Sequence, residues 1–229
     1  MIRKVWLKIL GPVTTAAIAL SVAATHGVAV ADEHGISNVN SSIHVGSGEH
    51  SGDLSTVNGS IHIGENAVVG HAKTVNGSVN MEAHSTAADL GTVNGSIKLE
   101  EGAHVNGNVH TVNGALHVDN GAEVTGNLTN VNGGIGVAAA HIGGSVSTAS
   151  GSVDLGPNAR IDGGVNMSKD TNWHFGFHSL PRVVIEPGTV VKGKLHFERP
   201  VVLYVSNHAT IGVVEGAEIQ KFSGDHPPD

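Results

Sequence analysis

The chain has 229 residues, with 12 Lys and Arg against 20 Asp and Glu, a formal net charge of −8, 16 histidines, 32 glycines and no cysteine. That acidity repels phosphate backbones and anionic headgroups, which argues against nucleic acid and acidic lipid surfaces as partners. With no disulfide staple and no thiolate chemistry, regular packing and hydrogen bonding must stabilise the fold.

Residues 1–31 read as a secretory signal peptide. Arg3, Lys4 and Lys8 form a basic leader, an apolar stretch follows from Ile9 to Ala24, and Ala29-Val30-Ala31 fits a small-x-small cleavage site. The apolar run holds Gly11, Pro12, Thr14 and Thr15 and is short for a spanning helix, so removal is favoured over an uncleaved anchor. No later segment is apolar enough to cross a bilayer. The expectation is an exported chain, periplasmic, at the cell surface or secreted, with no membrane span once the leader is cut. The leader takes three basic and no acidic residues, so the remainder is more acidic still.

Residues 32–165 repeat. The motif recurs as Asn38-Val39-Asn40, Thr56-Val57-Asn58, Thr74-Val75-Asn76, Thr92-Val93-Asn94, Thr111-Val112-Asn113, Asn130-Val131-Asn132 and Thr148-Ala149-Ser150, at steps of 18, 18, 18, 19, 19 and 18 residues. A fixed period of this size means a solenoid, since propeller blades need roughly 40 residues. Inside each period apolar residues fall about six apart, as in Val57, Ile63 and Val69, with Ile61 and Ala67 filling second inward places. The same grid places Val93, Leu99 and Val105, then Val112, Val118 and Val124, then Leu155 and Ile161. Short alternating strands with Gly or Asn at the corners predict an all-β, single-stranded, three-faced β-helix of about 18–19 residues per coil. The glycine content and the absence of a 3.6-residue period exclude a helical solenoid.

The Gly-Ala-x-Val-x-Gly segments at 102–107 and 121–126, and more loosely Gly188-Thr189-Val190-Val191-Lys192-Gly193, resemble those of bactofilins, bacterial β-helix proteins that polymerise end to end. The repeated Asn-Gly-Ser-Ile is similar to the β-strand repeats of bacterial adhesins. Together these likenesses cover about residues 38–220. They imply a polymer-forming or adhesive rod. Bactofilins are typically cytoplasmic, whereas the leader here predicts export. The six-residue grid also resembles left-handed hexapeptide-repeat acyltransferases, which leaves handedness open.

Residues 166–182 break the grid and form an insertion; residues 183–222 resume it as closing coils, and residues 223–229, with Pro227 and Pro228, read as a flexible tail. The aromatics after the leader (Trp173, Phe175, Phe177, Phe197, Tyr204, Phe222) fall in the last quarter. Three of them, Trp173, Phe175 and Phe177, crowd the insertion. Such a segment either folds back as a cap on the rod or projects as an interaction loop.

Six asparagines, Asn40, Asn58, Asn76, Asn94, Asn113 and Asn132, repeat at one corner and predict a structural ladder of side-chain amides at the ~4.8 Å coil spacing. The threonines at 56, 74, 92 and 111 would flank an inward valine. Flat threonine arrays are a way to bind ice, a minor alternative beside threonine's ordinary fitness for strands. His44, His62 and His117 share an outward position, which makes His44 and His62 neighbours and weak metal candidates. His174 and His178, four apart with Asp170 nearby, are a second weak pair. No set of three ligands recurs, and solvated histidine on an acidic surface is the simpler reading.

No nucleophile elbow, phosphate loop or His-Glu-x-x-His is present, and Glu100, Glu101, Asp119, Glu123 and Asp154 look scattered. The expectation is therefore an exported, non-enzymatic rod without a cofactor, capable of self-association or of holding a cell-envelope component or glycan. A carbohydrate-active or metal-dependent enzyme on the same scaffold is the alternative.

Overall fold

The computed structural model describes residues 35–169 and 180–227. The leader lies outside the described residues, as do Asp170, Trp173, His174, Phe175, Phe177 and His178. The chain winds about nine times through three parallel sheets, at about 19 residues per coil, with no helix among the described residues. The first face holds ten strands from Ile36–Ser37 to Val214–Glu215. The second holds ten from Ile43–Val45 to Ile219–Phe222, and the third holds nine from His50–Ser51 to Thr210–Ile211. Neighbouring strands pair like residue on like residue: Thr56 on Thr74, Asn58 on Asn76, Ile61 on Val79, Lys98 on His117.

The core is a narrow apolar column running the length of the rod. In one coil Leu90, Thr92, Ile97, Leu99, Ala103 and Val105 point inward, none more than 1% exposed. Burying each large aliphatic chain stabilises by roughly 1.5–3 kcal/mol, but only against the coils above and below. One coil alone has no second layer to pack on, which is why the repeat must recur.

The inward register departs from the sequence expectation at one place. Thr56, Thr74, Thr92 and Thr111 are buried, whereas Val57, Val75, Val93 and Val112 are only half-buried. Alternation explains the shift. The strand Leu54–Asn58 begins with the inward Leu54, so Thr56 is the next inward residue and Val57 turns out. A buried hydroxyl needs a partner, and each threonine donates to a corner carbonyl of the previous coil. The acceptors are Ser41 O for Thr56 (3.0 Å), Gly59 O for Thr74 (2.8 Å), Gly77 O for Thr92 (2.8 Å) and Gly95 O for Thr111 (2.9 Å). Ice binding by an exposed threonine array therefore loses its array.

The glycine of each Asn-Gly is there for close approach. A Cβ on Gly77 would overlap Gly59 O, one on Gly95 would overlap Gly77 O, and one on Gly114 would overlap Gly95 O. The Thr-Val-Asn-Gly-Ser signature thus builds a single corner: an inward hydroxyl, an outward amide, and a glycine over which the next coil can sit.

The repeat also runs further than expected into the insertion. Val165–Met167 pairs with both Val146–Thr148 and Leu195–Phe197, and Arg182–Ile185 pairs with Val153–Leu155. Asn166, Met167 and Arg182, expected in the insertion, thus belong to paired strands. At the far end the last strands, Thr210–Ile211, Val214–Glu215 and Ile219–Phe222, each have a strand neighbour on one side only among the described residues. Val213 there is 70% exposed and Ile219 40%.

Candidate functional site

The asparagine corner is a continuous chain of amide–amide hydrogen bonds. Asn58 Nδ2 donates to Asn40 Oδ1 (2.9 Å), Asn76 to Asn58 (2.8 Å), Asn94 to Asn76 (2.9 Å), Asn113 to Asn94 (3.0 Å) and Asn132 to Asn113 (3.0 Å). Ser150 Oγ ends it by donating to Asn132 Oδ1. Beside it runs a chain of serines, in which Ser42, Ser60, Ser78 and Ser96 Oγ accept backbone N–H groups of the next coil at 3.1–3.2 Å. These corners satisfy backbone and side chain together, and their chemistry is structural.

His44 and His62 are register neighbours on the second face, with ring centroids 4.9 Å apart and planes 10° from parallel. Stacked rings present faces to each other. A shared metal would need converging nitrogens about 2.0–2.1 Å from one point. His62 Nε2 instead lies 2.7 Å from Glu82 Oε1, and that hydrogen bond is the main reason the Glu82 carboxyl is held below its ordinary range. Asn80 and Lys98 separate this pair from His117. Among the described residues no group of three or more His, Asp or Glu is arranged to hold a metal ion.

The third face carries a charged column that the sequence reading missed. His104, Glu123, His141 and Arg160 are successive register partners. Glu123 sits between two rings, 3.3 Å from His104 Nδ1 and 3.2 Å from His141 Nδ1, and His141 Nε2 lies 3.1 Å from Asp162 Oδ2. Lys192 Nζ (2.9 Å) and Arg160 Nε (3.2 Å) complete the surroundings of Asp162 Oδ1. Hydrogen bonds from Lys192 first and His141 second hold the Asp162 carboxyl far below the usual carboxylate range. Aligning the coils on their third-face strands, rather than on the asparagine motif, would have placed Glu123 between His104 and His141.

Back on the second face, a notch of about 240 Å³ is lined by His117, Asp119, Asp154 and Glu186 together with the small residues Gly136, Ala138 and Gly156. The register makes it. Gly136 falls between His117 and Asp154 in one column, and Ala138 and Gly156 follow Asp119 at the adjoining corner. Asp119 and Asp154, scattered in sequence, thus frame one depression. Burial pushes the Asp154 carboxyl upward, against the opposing pull of Arg182 and His226. Glu186, 7% exposed, meets His226 Nδ1 at 3.0 Å. Arg182 also lies over the Tyr204 ring, 4.8 Å from its centroid.

Comparisons of the chain with models of known protein families, with curated proteins and with solved structures found no match.

Proposed function

We propose that the protein is an exported, non-enzymatic rod with a structural, polymer-forming or adhesive role in the cell envelope. The observation that carries this reading is the far end of the rod. Three sheets stop there at strands with no further neighbour among the described residues, and Val213 and Ile219 stand exposed beside them. Soluble solenoids usually close such an end with a polar cap, because free edges template the addition of further strands. The likeness to bactofilins suits end-to-end growth on this surface, and the likeness to adhesin repeats suits the leader. Long hydrogen-bonded corners suit a load-bearing element. Electron microscopy of the purified protein tests the proposal. Filaments whose length falls in Val213→Lys are expected, while monomers at all concentrations would remove the polymer-forming role.

A second reading, a carbohydrate-active enzyme, is favoured by the notch alone. A carboxyl pushed upward by burial, set among other carboxylates, is the arrangement from which a general acid acts on a glycosidic bond. Release of reducing ends from envelope polysaccharide, lost in Asp154→Asn, would support it; no release by the parent protein would end it.

A further inference from the structure

Each coil passes from the second face to the third by a nearly fixed count. Five residues separate Leu99 from His104, Val118 from Glu123, Leu155 from Arg160 and Ile185 from Val190, each pair linking the end of a second-face strand to the start of a third-face strand, and Val205, the register partner of Ile185, is likewise five residues before Thr210. In the last coil Lys221 is the register partner of Val205. Five residues further on is His226. Gly224 stands at the corner position where Gly102, Gly121 and Gly188 have φ of 66, 70 and 75°, and it too is left-handed, at 122°. The tail is therefore in step to begin a tenth third-face strand, placing His226 over Thr210 and Pro227 over Ile211.

The tail does not take that seat. His226 turns back along the rod to Glu186, whose coil lies two turns earlier. The third face consequently ends at Thr210–Ile211, one strand short of the other two. A vacant hydrogen-bonding position follows from this. Gly188 N donates to His208 O of the coil ahead at 3.1 Å, whereas His208 N, its counterpart one coil on, donates to Ser206 Oγ of its own coil at 3.2 Å and to no coil ahead among the described residues. Pro227 could cover Ile211 but has no N–H to pass the ladder onward, so a strand made from this tail would terminate the sheet.

We infer that residues 224–227 are a strap with two seats. Held on Glu186 by His226, the strap leaves the step at Thr210–Ile211 open to a second copy of the chain; released, it lies over that step and closes it. The inference rests on the reading of the rod as a self-associating element, and it supplies that reading with a regulator. Ser223 Oγ accepts from Asn207 Nδ2 at 2.8 Å and fixes the root of the strap; beyond it an exposed imidazole on one carboxylate is a weak fastening, which suits a segment that exchanges between seats.

The test compares the parent protein with His226→Ala, Glu186→Gln and a chain ending at Phe222, by sedimentation and by deuterium uptake of residues 208–212. His226→Ala and Glu186→Gln are expected to shorten assemblies several-fold and to slow uptake at the step, because the freed strap closes it. The chain ending at Phe222 should assemble at least as well as the parent, with fast uptake. Parent-like assembly and uptake in His226→Ala would overturn the strap. So would equally poor assembly in the shortened chain, since the tail would then belong to the interface. Should the parent not assemble, the rod reading fails by itself, and slowed uptake in His226→Ala still distinguishes a closing strap from none.

Discussion

Gly95→Ala places a single methyl between two coils at the asparagine corner. The added Cβ would overlap Gly77 O and lie 3.0 Å from Ser78 N, both backbone atoms that cannot swing aside. Relief requires the coils to part locally. Four bonds depend on their spacing: Thr92 Oγ1 to Gly77 O (2.8 Å), Gly77 N to Asn94 O (3.1 Å), Ser96 N to Ser78 Oγ (3.2 Å) and Asn94 Nδ2 to Asn76 Oδ1 (2.9 Å). At about 1 kcal/mol each, less the few tenths that alanine returns by restricting the unfolded chain, the expected loss is about 3 kcal/mol. For a domain of this size that corresponds to a fall of roughly 6–12 °C in melting temperature. Gly91→Ala is the control, because its Cβ would meet only the His110 ring, 2.6 Å from Cε1 and Nε2, which can rotate away. Its cost should stay below about 1 kcal/mol. Thermal and urea melts decide the matter. If the two variants melt alike, the close stacking of glycines is not what requires Asn-Gly in the repeat.

Leu99→Asp should unfold the rod, by burying an unpaired carboxylate in the apolar column. Val93→Asp, on a half-buried outward position, should retain a cooperative melt; equal damage from both would restore the valine as the inward residue. Thr92→Val keeps the volume but leaves Gly77 O without its donor, for a loss of about 1–3 kcal/mol by urea titration. Asp162, held low by Lys192 and His141, contributes stability that is present above the unfolded carboxyl value near ~3.9 and is lost as pH falls towards its folded value. The melting temperature of the parent should therefore converge on that of Asp162→Asn in acid, and a constant difference between them from pH 6 down to pH 2 would refute the assignment. Asp154 has the opposite sign. With its folded value raised by burial, its charge opposes folding once the pH exceeds the unfolded carboxyl value. Asp154→Asn should accordingly stabilise the protein at neutral pH and bring no gain in acid, as followed by melts across that range.

The period, the three faces and most of the inward grid are legible in the sequence because each coil meets the same neighbours. Ile61, Ile63, Leu99, Val105, Val118 and Leu155 are buried where the six-residue spacing places them. The asparagine ladder is legible for the same reason, since one position per coil stacks on itself. Thr56 and Val57 could not be ordered by hydropathy. Their order depends on where the five-residue strand starts and on a carbonyl of the previous coil that accepts the threonine hydroxyl. The convergence of His141 and Lys192 on Asp162 and the notch between His117 and Glu186 were decided by the tertiary structure. They join residues of different coils, such as His141 and Asp162, 21 apart along the chain, and Asp154 and Glu186, on either side of the point where the register step lengthens. Sequence periodicity fixes what recurs at every turn, whereas side chains that meet across two or three coils are set by the register of the sheets, in which one residue more or less at a corner changes every partner beyond it.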